Sequence, residues 1–163
     1  MSAKTTKNRY GSAVVTLPSD TEILITRQFD APAEAVFKAF TTPDLIKRWW
    51  GYETSEWLVC EVDLQVGGTW RYLVKHEDFE VGFHGEYRAI DRPRTLVTTE
   101  VYEGMPEAHS VNTITFDEVD GVTTMTELVQ HATQEHRDGH IQSGMEAGMQ
   151  VSMNRLEDVV TAA

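Results

Sequence analysis

The stretch Phe29-Asp-Ala-Pro-Ala-Glu-Ala-Val-Phe-Lys-Ala-Phe-Thr-Thr-Pro-Asp-Leu-Ile-Lys-Arg-Trp-Trp-Gly51 reads as two short helices set end to end. Asp30 stands just before Pro32, whose fixed backbone suits a first helical turn, and Glu34 complements the positive helix start. Val36, Phe37 and Phe40 then recur at helical spacing and mark one buried face. Thr42-Pro43-Asp44 restarts the chain as a second helix through Leu45 and Ile46. It closes at Trp49-Trp50-Gly51, where Gly51 suits a C-terminal stop.

Working outward, Glu22 to Phe29 alternates as a strand, with Ile23, Ile25 and Arg27 against Leu24, Thr26 and Gln28. Ala13 to Leu17 forms another extended segment across the turn Pro18-Ser19-Asp20. Residues 1–12 are small and polar and are expected to be a flexible tail, leaving 13–163 as one domain. On the other side, Trp57 to about Val129 is β throughout, punctuated by Gly67-Gly68, Glu77-Asp78, Asp91-Arg92-Pro93, Gly104-Met105-Pro106 and Asp120-Gly121. Asp120-Gly121 is the clearest hairpin signal, because Asp-Gly suits a type I′ turn. Residues 134–161 then read as a long helix, with Ile141, Met145, Met149, Met153, Leu156 and Val160 in one stripe.

The order is strand, two short helices, about six strands, long helix. It predicts an α+β fold in which a curved antiparallel sheet of six or seven strands grips the C-terminal helix. One helix cannot cover a wide twisted sheet, so space is expected at its flanks.

Composition narrows the function classes. The 163 residues are 40% hydrophobic and carry 14 Lys and Arg against 26 Asp and Glu, for a net charge of −12. Lys4, Lys7 and Arg9 are in the first ten residues, so the rest holds 11 bases against 26 acids. Such a body repels phosphate backbones, which argues against nucleic-acid binding. Cys60 is the only cysteine, excluding a disulfide framework and a cysteine zinc site. No apolar run approaches the ~20 residues of a membrane span, and no secretory signal is visible, so a cytoplasmic protein is expected.

Four stretches carry a family resemblance: residues 29–51, Asp63-Leu-Gln-Val-Gly-Gly-Thr-Trp70, Gly85-Glu-Tyr-Arg-Ala-Ile-Asp-Arg-Pro-Arg-Thr-Leu96, and Gly144-Met through Arg155-Leu156. In this order the chain resembles the START-like (SRPBCC) superfamily, in the group homologous to the C-terminal domain of the Aha-type heat-shock-protein ATPase activator. The resemblance implies a helix-grip fold around a hydrophobic cavity. It also implies binding of lipids, sterols, polyketides or similar molecules, with some members acting as cyclases or aromatases. Met149 departs from relatives that often carry Trp after the equivalent of Gly148.

Within that frame, Trp70, Tyr72 and Val74 share one strand face and are the expected cavity wall, joined by Tyr87 and Tyr102. Met145, Met149 and Met153 offer a soft apolar surface opposite, though such a stripe also fills ordinary cores. Gly144 and Gly148 beside them suggest a close approach of backbone or ligand. His84, Glu86, Glu100, Asn112 and Glu127 are candidate polar groups of the cavity whose facing the sequence leaves open. His131, Glu135, His136 and His140 cluster without a clear third metal ligand, so a solvated helix start is expected, with neither metal nor cofactor.

The expected function is binding of a small hydrophobic or amphipathic molecule. A cyclase-, aromatase- or hydrolase-like enzyme using a cavity carboxylate or His is the alternative. Chaperone ATPase stimulation comes third, weakened because the chain lacks room for the extra N-terminal domain of those activators. A homodimer through the Ala13–Leu17 edge is conceivable.

Overall fold

Asp120 and Gly121 both adopt positive φ, 52° and 79°, and Val119 pairs with Val122 across them. That is the Asp-Gly hairpin the sequence signals, and it joins two neighbouring antiparallel strands of the sheet. A computed structural model describes residues 9–51 and 55–162. The elements run β1 (Val14–Thr16), β2 (Glu22–Phe29), α1 (Ala33–Thr41), α2 (Pro43–Trp49), β3 (Glu56–Val62) and β4 (Thr69–His76). They continue through β5 (Phe79–Asp91), β6 (Thr95–Tyr102), β7 (His109–Val119), β8 (Val122–His131), α3 (Gln134–Gln142) and α4 (Met145–Thr161).

All eight strands form one sheet in the order β1-β2-β8-β7-β6-β5-β4-β3, with every neighbouring pair antiparallel. β3 to β8 is therefore a simple meander, and the two short helices carry the chain from β2 to the far edge. The count exceeds the expected six or seven because Ala13 to Leu17 contributes β1, a three-residue edge strand on β2. Of the expected tail, residues 1–8 lie outside the described residues. Arg9 to Ser12 are attached: Arg9 pairs with Asp30, its Nε and Nη2 donating at 3.1 and 3.0 Å, and the Gly11 amide donates to Asn154 Oδ1.

The C-terminal helix is where structure and sequence part. The apolar stripe runs on unbroken through residue 141 to 160, yet the helix breaks at Ser143-Gly144, where Gly144 takes φ +85°. That conformation favours glycine and explains the residue there. A Cβ at Gly144 or Gly148 would meet nothing within 4 Å, so neither glycine is there for a close approach of sheet backbone. Close approach occurs instead at Gly85, where a Cβ would stand 1.8 Å from Thr99 O and 2.7 Å from Trp70 Nε1.

α4 is fastened at its C-terminal half. Leu156 is fully buried, and Arg27 of β2, 1% exposed, donates from Nη1 to Glu157 Oε1 at 2.5 Å. Glu157 Oε2 also accepts the Asp30 amide at 3.2 Å. Cys60 on β3 lies half-buried against Pro43 O, and burial pushes its thiol up to about 11. No helix among the described residues is long and apolar enough to cross a membrane.

Candidate ligand cavity

Strand alternation sends every second side chain to the concave face. On β4 these are Trp70, Tyr72 and Val74, all buried, as the aromatic pattern predicts. On β5 and β6 they include Phe83, Tyr87, Glu100 and Tyr102, and on β7 and β8 Asn112, Glu127 and His131. Between this face, α3 and the first half of α4 lies a cavity of about 1570 Å³ that opens to solvent. Met145, Met149 and Met153 line it from the helix side, and Tyr102, 42% exposed, lines it at its more open part.

The apolar wall is a run of ring contacts. Trp50 lies 5.1 Å from Tyr72, 5.4 Å from Phe83 and 5.5 Å from Trp57, and Trp70 lies 4.7 Å from Tyr72. The Trp70 indole nitrogen stands against Gly85, and its N–H has no acceptor among the described residues. Trp49 is tied to the short helices, its Nε1 donating to Ala39 O at 2.9 Å. Burial raises both the Tyr72 and Tyr87 phenols above their ordinary value, Tyr87 without reaching ionisation near neutral pH.

A polar tier interrupts that wall. Asn112, 4% exposed, donates from Nδ2 to Glu100 Oε1 and to Glu127 Oε2, each at 3.3 Å. Ser110 Oγ donates to Asn112 Oδ1 at 2.9 Å and holds the amide in place. The register explains the convergence. Glu100 pairs with Ser110 and Glu127 with Ile114, so each carboxyl is one diagonal step from Asn112 on the same face. Burial lifts the Glu127 carboxyl to about 8, and the charge of Glu100 adds to the rise. Burial also lifts Glu100, partly countered by the Asn112 N–H.

The histidines correct the expected solvated helix start. His131 follows Glu127 and Val129 on the inward face of β8, and its Nε2 shares a 3.0 Å hydrogen bond with His140 Nδ1 of α3. Burial lowers His131 to about 4, with His140 and His136 adding, and burial lowers His140 as well. The signal was present in the even spacing from Glu127 through Val129 to His131. Thr133 starts α3 by accepting the His136 amide at 3.1 Å. Among the described residues, no three His, Cys, Asp or Glu side chains converge as a metal site.

Two sequence candidates are elsewhere. His84 and Glu86 sit at even positions of β5, between the inward Phe83, Gly85 and Tyr87, and so face outward. His84 Nδ1 lies 2.8 Å from Glu103 Oε2, and Arg71 donates to both Glu103 oxygens at 2.9 Å. The Arg71 hydrogen bonds, helped by His84, hold the Glu103 carboxyl down at about 2. Sequence reasoning also passed over Phe40, Phe83, Ser110, Ile114 and Val129 as cavity residues.

A family profile described as "Activator of Hsp90 ATPase homolog 1-like protein" matches residues 30–161, most of the chain. The chain belongs to this family. Solved structures of the same fold accompany it. A Rhodobacter sphaeroides protein, 24% identical, superposes over 93% of this chain and 99% of its own with a TM-score of 0.86. A Mycobacterium smegmatis protein, 25% identical, covers 93% and 98% at 0.81. A Nitrosomonas europaea protein, 19% identical, covers 89% and 97% at 0.78. No curated protein matches the chain. Activator homologue-like chains share the START-like helix-grip fold, which commonly binds hydrophobic ligands.

Proposed function

We propose that this protein binds a small hydrophobic or amphipathic molecule between the sheet and α3–α4. One observation carries the reading: a cavity of about 1570 Å³ walled by Trp50, Trp70, Tyr72, Phe83 and three methionines. Ligand pockets commonly occupy roughly 300–1000 Å³ and pair apolar walls with a few placed polar groups. This cavity has the volume for such a molecule, and the Glu100–Asn112–Glu127 tier supplies the polar groups.

The test is native mass spectrometry of the purified protein with solvent extraction, alongside titration with an uncharged fluorescent naphthalene probe. A co-purifying apolar molecule, or saturable probe binding that Met149→Trp weakens, supports the reading. Absence of both sinks it. An enzymatic reading has one observation in its favour, since a carboxyl held near 8 can donate a proton at neutral pH. Turnover of any ligand found in the first experiment, lost in Glu127→Gln with binding retained, would establish it.

A further inference from the structure

We infer that the cavity selects a ligand whose apolar body ends in a protonated amine, seated against Glu100 and Glu127. This rests on the reading of the cavity as a binding site and adds the charge class of its occupant.

The lining is one-sided in charge. Glu100, Glu107, Glu127, Glu135 and Asp138 line the cavity, and among the described residues no Lys or Arg does. The chain has 14 such bases, so their absence from this surface is not forced by composition. An acidic lining alone would say little. Here two of the acids are set into the cavity wall and joined by one buried amide. Asn112 gives one N–H to each carboxyl, and among the described residues no other side chain or amide donates to either. Both acceptors lie 3.3 Å from the same nitrogen, so they are no further apart than about twice that distance.

An ammonium has three N–H donors and a compact charge, and can reach both carboxyls at once. Burial and the Glu100 charge keep a proton on Glu127 up to about 8, and an ammonium seated there displaces that proton to solvent and supplies the countercharge that the cavity wall lacks. A fatty carboxylate or a phosphate could accept a hydrogen bond from protonated Glu127, but it would still stand beside the Glu100 charge with no base to offset it, where desolvation strengthens the repulsion. His131 and His140 do not change this balance, because burial keeps both neutral near pH 7. A hydroxyl could bond to the tier but brings no charge. Trp70 and Tyr72 line the same cavity and supply aromatic surface for the apolar body.

The experiment is calorimetric titration of the full chain at neutral pH and near-physiological salt, where long-range surface attraction is screened. Dodecan-1-ol, dodecylamine and dodecanoate share one apolar body and differ in head charge. Each is used below its solubility limit, and the two charged probes also below their micelle concentrations. Dodecylamine is expected to bind about tenfold or more tightly than dodecan-1-ol, with dodecanoate weakest. Glu100→Gln with Glu127→Gln should bring the amine-to-alcohol ratio to about one while moving alcohol affinity by less than about twofold. Glu61→Gln with Glu80→Gln makes the same two replacements at exposed strand positions outside the cavity and should leave the ratio unchanged.

Dodecanoate binding as tightly as the amine, or a ratio that survives the Glu100/Glu127 pair, overturns the charge class and leaves the cavity reading standing on dodecan-1-ol. Failure of all three probes removes both. If the Glu100/Glu127 variant does not fold by circular dichroism, the order of the three probes on the wild-type chain decides. An amine no tighter than the alcohol overturns the inference.

Discussion

Two halves of the same concave face are finished differently. Beneath α1 and α2 it is filled: Phe37 and Phe40 lie 5.7 and 5.4 Å from Phe116, and Phe40 lies 4.9 Å from Trp49. Beneath α3 and the first half of α4 it is empty, although the sheet there carries equally large rings. The helices make the difference. α1 presents Val36 and Phe37, both fully buried, whereas the first turns of α4 present Met145, Ala147, Gly148 and Met149, none of them buried. α4 is also tied down only towards its end, by Leu156 and the Arg27–Glu157 pair. Stability is thus concentrated under one pair of helices, and the space for a ligand lies under the other.

This contrast can be broken at either half. Phe37→Ala should cost about 3–5 kcal/mol, the range for removing a fully buried ring, measured by chemical denaturation. A loss below about 1 kcal/mol would mean the filled half is not the stabilising one. Glu157→Ala leaves the Arg27 charge buried without its carboxylate and should cost about 3 kcal/mol in the same measurement. Restoring stability with Arg27→Met in the same chain would show that the charge, and not lost volume, is responsible.

The pH dependence isolates the open half. Folded Glu127 keeps its proton up to about 8, whereas the unfolded chain releases it near 4.5. Over that interval the folded chain binds more protons, so this contribution is complete below 4.5 and is lost as pH rises to about 8. His131 has the opposite sign. Its folded value of about 4 lies below the unfolded 6.5, so its contribution is present above 6.5 and is lost as pH falls towards 4. The two nearly offset between 4.5 and 6.5, leaving a decline from about 6.5 to 8, at most about 1.4 kcal/mol per pH unit. Glu127→Gln should flatten that decline in thermal melts taken across the range. The smallest effect is expected from Met149→Ala, which faces space already empty and should cost less than about 1 kcal/mol. A cost matching Phe37→Ala would mean the cavity is packed in solution.

Much of this architecture is legible from local chemistry. Pro32 and Pro43 start the two short helices, Asp120-Gly121 turns the β7–β8 hairpin, and the aromatic alternation of Trp70 and Tyr72 fixes the inner face of β4. The polar tier is not legible in the same way. Glu86 and Glu100 are both strand acids, and only the register carried along the meander sets one outward and the other inward. That register slips at Trp57/Val59 and at Tyr87/Ala89, and no residue type announces either irregularity. The α3–α4 break is hidden for another reason. Ile141, Met145 and Met149 keep helical spacing across it, and only the φ of Gly144 reveals the joint. His140 therefore reaches His131 in a way that a continuous helix does not suggest.

Cys60 has a practical consequence. With its thiol raised to about 11, only about one molecule in ten thousand carries the thiolate at pH 7. It is the sole cysteine of the chain, so the protein offers an almost silent background to thiol-reactive reagents. A cysteine introduced on the exposed side of α3, at Gln142, would carry a fluorophore at a single defined point beside the cavity. Filling and emptying could then be followed as they happen, without a chromophore on the ligand.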